Sequence, residues 1–127
     1  MRLGGAFEGR WSLYEGLSGR ELRWTHIEAC RKIGRLVAVS RADFDASEEK
    51  QLALERLFEI VGEASAKVSD GFKGAYPLIP WRQATAMRNF VIHDYAGVSP
   101  DIMWETALTD IPRLLGLLLE IHGTWKP

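Results

Sequence analysis

Cysteine is nearly missing from this chain of 127 residues, which contains a single one, Cys30. One thiol excludes an intramolecular disulfide and a zinc site built from several cysteines. Long hydrophobic runs are missing as well. The longest apolar stretch, residues 114–119, ends at Glu120 and is far shorter than the ~20 residues that cross a bilayer. The first residues lack the apolar core of a signal peptide, so the sequence predicts a cytoplasmic protein.

An excess of charge of one sign is also missing. The chain has 16 basic and 17 acidic side chains, for a net charge of -1 at pH 7. This balance excludes the global positive field of a protein that coats duplex DNA, but it leaves room for a local basic patch. The 46% hydrophobic and 26% charged fractions are those of an ordinary globular protein. A chain of this length is expected to form one domain around one hydrophobic core.

Glycine is concentrated near the start of the chain, where no steady hydrophobic period is present. Because each glycine weakens a helix by ~1 kcal/mol relative to alanine, residues 1–20 are predicted to form an irregular N-terminal arm. Residues 21–127 are predicted to form one helical domain.

Four amphipathic helices are predicted within this domain, because apolar residues recur there at spacings of three and four. The four segments begin near Glu21, Ser47, Pro80 and Ser99. Ser47 and Ser99 are expected to be N-caps, with Pro80 and Pro100 in first helical positions. Residues 40–45 and 71–77 are expected to break the helices. No segment alternates long enough to predict a strand, so the predicted fold is all-α, an antiparallel four-helix up-down bundle.

One dense polar cluster stands out, residues 88–95 (RNFVIHDY), near the end of the predicted third helix. At ~100° per residue Asn89 and His93 share a helix face, whereas Arg88 and His93 point ~140° apart. Either the long arginine leans across this angle, or a second chain completes the site. Histidine exchanges a proton near neutral pH and arginine binds phosphate, so the cluster suits RNA cleavage without a metal. A lone histidine near a helix end is also often only a favourable dipole partner.

The spacing Arg88-x4-His93-x-Tyr95 resembles the signature of the HepT toxin family, within the HEPN superfamily of RNA-cleaving helical domains. Neighbouring blocks agree with the resemblance: IVGEA at 60–64, IPWR at 79–82, AMRN at 86–89, Trp104, and DIP at 110–112. The similarity extends from Glu21 to the C-terminus. The order of the blocks is far more specific than the Arg-x4-His spacing alone.

The resemblance implies a metal-independent endoribonuclease that acts as a homodimer and needs no cofactor. Arg88 and His93 would be catalytic at the cleft between the subunits, and Asn89 and Tyr95 would position the RNA. The resemblance also implies the toxin half of a toxin–antitoxin pair. Its partner would be an MntA-type nucleotidyltransferase that transfers AMP to Tyr95.

Two carboxylates are candidates for a supporting role. Glu63 is expected either to orient Arg88 or Arg82 across the subunit interface, or to act as a buried capping or ion-pair residue. Asp94 is either solvated or a residue that tunes His93.

Other chemistry-bearing residues have simpler interpretations. Trp81 and Trp104 are expected in the core or the dimer interface. His26 and His122 have no companions at metal-ligand spacing, so no metal site is predicted.

Two alternatives to a ribonuclease remain open from the sequence. The chain is either a non-catalytic subunit that binds a nucleotide and partners a minimal nucleotidyltransferase, or a purely structural helical dimer. The structural alternative leaves the polar cluster at residues 88–95 unexplained.

Overall fold

The computed structural model describes residues 19–91 and 99–124, with side chains for residues 21–91 and 99–121. The described part of the chain is helical and contains no strand, which confirms the all-α prediction. Most of the predicted N-terminal arm, residues 1–18, lies outside the described residues. The first helix begins at Gly19, two residues before the predicted domain boundary.

Three long helical segments alternate with short ones. In chain order the elements are α1 (Gly19–Leu36), α2 (Arg41–Asp45), α3 (Glu48–Lys67), α4 (Asp70–Ala75), α5 (Trp81–Ala86) with a following 3-10 turn (Met87–Asn89), α6 (Pro100–Glu105), a π-helical turn (Thr106–Asp110) and α7 (Ile111–Thr124). Helix α1 packs against both α3 and α7, while α5 and its 3-10 turn pack against α3. Helix α3 therefore carries the 3-10 turn on which part of the predicted site lies.

Serine caps begin four of these helices. The Ser47 hydroxyl accepts from the Lys50 amide at 3.2 Å, and the Ser99 hydroxyl accepts from the Ile102 amide at 3.2 Å, with Pro100 in the first turn. Both predicted caps are confirmed.

The same device begins two helices in segments that were expected to be breaks. The Ser40 hydroxyl accepts from the Asp43 amide at 3.0 Å, and the Ser69 hydroxyl accepts from the Phe72 amide at 3.2 Å. The predictions for 40–45 and 71–77 are therefore wrong in part, because α2 lies within the first segment and α4 enters the second. One or two turns are too short for apolar periodicity to reveal them.

The third predicted helix ends earlier than expected. Pro80 is its N-cap and not its first residue, the α-helix ends at Ala86, and one 3-10 turn follows. Phe90 then has extended backbone angles, φ -75° and ψ 108°. Its ring packs against Phe58 at 5.1 Å between centroids, a contact with α3 that a continuing helix would place elsewhere. The premise that one helix continues from Asn89 to His93 is therefore wrong at Phe90, while His93 itself lies outside the described residues.

The last predicted helix contains the π-helical turn because of a proline. Pro112 has no amide hydrogen, and its ring would collide with the carbonyl group of Leu108, four residues earlier. The Ile111 amide instead donates to the Thr106 carbonyl group, five residues back. This wider turn relieves the collision and lets the helical segment continue into α7.

The core is formed by apolar side chains from the long helices and from several of the short ones. The largest fully buried ones are Phe44, Phe58, Ile27, Ile33, Leu54, Met103, Ile111, Leu114 and Leu118. Trp81 and Trp104 are buried within the single chain, and the Trp104 ring packs against Phe44 at 5.0 Å. Cys30 is buried in the same core, and burial raises the pKa of its thiol to about 12. None of the helices described here is long and apolar enough to cross a membrane.

A neutral histidine lies at the α1–α3 contact. His26 is fully buried, with its Nε2 2.6 Å from the Ser65 Oγ, and that hydroxyl donates to the Val61 carbonyl oxygen at 2.8 Å. The hydroxyl proton is thus engaged, so Nε2 carries the ring proton. His26 Nδ1 has no hydrogen-bond partner in the described part of the chain. Burial lowers the pKa of His26 from 6.5 to about 4, so the folded protein keeps the ring uncharged.

Acid is expected to destabilise the fold through His26. Between pH 6.5 and about 4 the unfolded chain binds a proton on His26 that the folded chain does not. The free energy of unfolding should therefore be highest above pH 7 and fall by up to roughly 3 kcal/mol as the pH drops through this range. Urea unfolding of the wild type and His26→Gln at neutral pH and near pH 4.5 measures the effect. An equal pH dependence in both proteins would contradict this assignment.

Candidate functional site

Arg88 is held by a turn that is anchored on both sides. Met87, the first residue of the 3-10 turn, is buried in the core. Phe90, the residue that follows the turn, packs against Phe58 of α3. The two polar residues between these anchors, Arg88 and Asn89, are exposed. Two adjacent polar residues between apolar anchors thus present an arginine and an amide at the surface, on a backbone that the core holds in place.

Gly62 allows this turn to approach α3 closely. A Cβ atom built on Gly62 would lie 2.7 Å from the Arg88 Cα and closer still to the Arg88 backbone nitrogen. Real Cβ atoms essentially never approach backbone so closely. Gly62 lies within α3, so the glycine is needed for space and not for an unusual backbone angle. The backbone of Arg88 is thus placed by direct contact with helix α3.

Glu63, the next residue of α3, faces Arg88 within the same chain. Its Oε1 lies 3.8 Å from the Arg88 Nη1, within ion-pair range but beyond hydrogen-bonding distance. The Glu63 side chain is only 13% exposed, whereas that of Arg88 is 40% exposed. The Glu63 Oε2 is buried and has no hydrogen-bond partner among the residues the structure describes. Of the two arginines expected near Glu63, Arg88 forms the ion pair, and no second chain is needed for it.

Some of the remaining predicted site residues lie within the described part of the chain, and others do not. His93, Asp94 and Tyr95 lie outside the described residues. Asn89 lies beside Arg88 at the surface. Arg82 is exposed on α5. In residues 21–91 and 99–121, no group of three His, Cys, Asp or Glu side chains could hold a metal ion.

Sequence reasoning missed the role of Gly62. A signal was present, since a glycine inside a long amphipathic helix costs ~1 kcal/mol relative to alanine and can mark a packing requirement at that position. The residue that approaches Gly62 comes from a distant part of the chain, so the sequence did not identify it.

A small cleft beside the Arg88 turn was also missed. It has a volume of about 170 Å³. Its walls come from α5, the 3-10 turn and the last helical segment: Pro80, Gln83, Ala84, Met87, Asp110, Arg113 and Leu114. Met87 thus contributes to both the cleft wall and the turn that presents Arg88.

The arrangement suits recognition of a phosphate group. The guanidinium of Arg88 is permanently charged and offers its N–H groups as a planar fork. It is partly exposed, so those donors are accessible, while its backbone is held by the core. A cation held in this way can bind phosphate oxygens and stabilise charge that develops on them.

Comparison with known proteins identifies relatives over most of the helical domain. A family model described as "Ribonuclease HepT-like" matches residues 26–121. A protein of Thermococcus cleftensis named "Probable ribonuclease HepT" is 43% identical over 74 residues, which cover 58% of this chain and 67% of the relative. A protein of Caldanaerobacter subterraneus subsp. tengcongensis named "Putative RNase TTE0752" is 36% identical over 89 residues, 70% of this chain and 80% of the relative.

No solved structure matches the chain. The family match nevertheless covers all of α3, α5 and the Arg88 turn, which carry the described part of the candidate site. The chain therefore belongs to the HepT-like family of ribonucleases, in the HEPN superfamily.

Proposed function

We propose that this protein is a metal-independent endoribonuclease toxin whose site contains Arg88 and His93. The observation that carries the proposal is the placement of Arg88. Its backbone is seated on Gly62, and its partly exposed guanidinium is available to a phosphate, in a chain that belongs to a ribonuclease family. The predicted cytoplasmic location would give such an enzyme access to cellular RNA.

In the proposed reaction a ribose 2′-hydroxyl attacks the adjacent phosphorus. His93, as general base, takes the hydroxyl proton while the bond between phosphorus and the 5′-oxygen breaks. A protonated His93 gives its proton to the leaving 5′-oxygen, which leaves a 2′,3′-cyclic phosphate and a free 5′-hydroxyl. Arg88 binds the non-bridging oxygens and stabilises the additional negative charge of the pentacovalent transition state. Asn89 hydrogen-bonds to the phosphate, and Tyr95 positions the RNA by stacking or hydrogen bonding.

The active form in this proposal is a homodimer of HEPN-type bundles. The four main segments of each antiparallel bundle would be α1, α3, α5 with its turn, and the last helical segment. One chain supplies one His93, whereas the reaction needs a base and an acid. A two-fold axis through the site would provide both, together with two copies of Arg88.

The proposed ribonuclease would be controlled by a partner enzyme. A cognate MntA-type nucleotidyltransferase would transfer AMP from ATP to the Tyr95 hydroxyl, with loss of pyrophosphate. Tyr95 is two residues from His93, so the added phosphate charge and nucleoside would repel and occlude RNA at the site. This modification would make the partner an antitoxin.

RNA cleavage in EDTA tests the enzyme. Unmodified protein is expected to cut RNA without a metal, and His93→Ala is expected to cut at least about 10²-fold more slowly with an unchanged melting temperature. Full cleavage by His93→Ala would refute the assignment of this residue. Absence of cleavage by the unmodified wild type, across total cellular RNA, would instead favour the nucleotide-binding partner subunit.

Intact mass tests the control mechanism. Protein produced together with the nucleotidyltransferase should carry the mass of one or more AMP groups, and Tyr95→Phe should carry none at this position. The modified form should not cleave RNA. Modification at another residue, or modified protein that remains active, would contradict the proposed role of Tyr95.

A further inference from the structure

We propose that Glu63 is the positioning residue of Arg88, holding its guanidinium in the orientation that stabilises the transition state. This inference rests on the proposed role of Arg88 in RNA cleavage. Gly62 places only the backbone of Arg88, and the long side chain beyond it rotates about several bonds. Glu63 Oε1 lies 3.8 Å from Arg88 Nη1 and is placed to restrict those rotations.

The geometry of this pair differs from that of the surface ion pairs of the chain. Arg41 is 2.8 Å from Asp45, and Arg56 is 2.6 Å from Glu59, both at hydrogen-bonding distance. Exposed pairs of this kind contribute little to stability. The Arg88–Glu63 pair is longer than either, and the carboxylate side of it is largely buried.

The buried oxygen of Glu63 argues against a purely stabilising pair. Its Oε2 is buried and accepts no hydrogen bond from the described part of the chain. A buried carboxylate oxygen without a donor costs free energy, and a 3.8 Å ion pair offsets that cost poorly. Such a pair is unfavourable as a stabilising device, whereas it is well suited to orient a cation that must keep N–H groups for a ligand.

Glu63 also affects RNA binding by its charge. A carboxylate close to the site repels a phosphate unless the guanidinium lies between the two anions. Glu63 therefore favours the orientation in which Arg88 bridges the carboxylate and the phosphate, with one edge of its fork directed at each. The expected consequence is a larger effect of Glu63 on the rate of cleavage than on the affinity for RNA.

Glu63→Gln tests this inference through kcat and KM. This substitution removes the negative charge of the Glu63 side chain but nearly keeps its shape. We expect kcat to fall about tenfold because Arg88 loses its orientation, with KM unchanged or lower because a repelling charge is gone. The matched control is Glu28→Gln, which breaks a 3.0 Å pair with Arg31 on α1 and should leave both constants unchanged. An unchanged kcat in Glu63→Gln, or a raised KM alone, would overturn the inference.

A melting-temperature cycle gives a second readout that does not need cleavage. Arg88→Ala leaves the Glu63 charge largely buried without its partner, so this variant should melt below the wild type. Adding Glu63→Gln to Arg88→Ala should raise the melting temperature, whereas the same change in the wild type should not. If the melting-temperature shifts of the two single variants simply add in the double variant, the inference is overturned. This result does not depend on whether RNA is the substrate. Coupled shifts in a protein that cleaves no RNA would refute the proposed function and leave the pairing of Glu63 with Arg88 intact.

Loss of folding is the remaining outcome. If Glu63→Gln does not fold, Glu63→Asp keeps the charge and withdraws it by one methylene group. A folded Glu63→Asp with reduced kcat and unchanged KM supports positioning. A folded Glu63→Asp with wild-type kcat would show that the residue is needed for the fold alone and would overturn the inference.

Discussion

Replacing Arg88 with alanine is expected to lower the rate of RNA cleavage by about 10²–10³-fold. The reason is that the variant loses the permanent charge that would neutralise the phosphate oxygens in the transition state. Arg88→Lys should recover only part of this loss, because an ammonium group lacks the planar fork of the guanidinium. Single-turnover cleavage of a defined RNA by unmodified protein in EDTA measures both variants.

Arg82→Ala is the matched control for this experiment. Arg82 lies on α5, the helix that leads directly into the Arg88 turn. It is exposed and carries the same positive charge as Arg88. Its loss should change cleavage by no more than a few-fold through the general attraction of RNA. Equal losses in Arg82→Ala and Arg88→Ala would show that net charge, and not the placed guanidinium, drives the reaction. Wild-type rates in Arg88→Ala would remove Arg88 from the site.

Replacing Gly62 with alanine is expected to damage both the fold and the site. The new methyl group would lie within 2.7 Å of the Arg88 Cα, and a backbone cannot rotate away as a side chain can. The 3-10 turn must therefore move, at a cost of ~1–3 kcal/mol, which exceeds the ~1 kcal/mol that alanine gains over glycine in a helix. Because Arg88 moves with the turn, cleavage should fall by at least about tenfold. Thermal unfolding and cleavage rates check the two effects.

Gly34→Ala separates crowding from helix propensity. Gly34 lies in the exposed part of α1, and a Cβ atom there would have no neighbour within 4 Å. This variant should unfold at a higher temperature than the wild type, with unchanged cleavage. If Gly62→Ala were also more stable and fully active, the close approach of Arg88 to α3 would be disproved.

Much of the fold was predicted from local patterns. The long helices α1 and α3 follow from apolar residues at helical spacing, and the starts of α3 and α6 follow from Ser47 and Ser99. These features depend on residues within one or two turns, so the sequence contains the relevant information. The family was identified in the same way, because the order of its short blocks is written along the chain.

The third helix shows where local patterns fail. Its apolar spacing predicted a helix that continued past Asn89, but the structure ends it after one 3-10 turn. The packing of Phe90 against Phe58, and the seating of Arg88 on Gly62, determine this ending. Both contacts join parts of the chain that are distant in sequence, and tertiary packing of this kind overrides helix propensity.

By itself the sequence determined the helical class, the capped starts of the main helices and the membership of a ribonuclease family. Only the tertiary structure decided that the Arg88 backbone packs on Gly62 and that the Arg88 guanidinium faces Glu63. The sequence showed Gly62 and Glu63 within an amphipathic helix. It did not show which backbone would approach Gly62 or which charge would face Glu63. Such choices depend on the space left between packed elements, and that space exists only once the helices have come together.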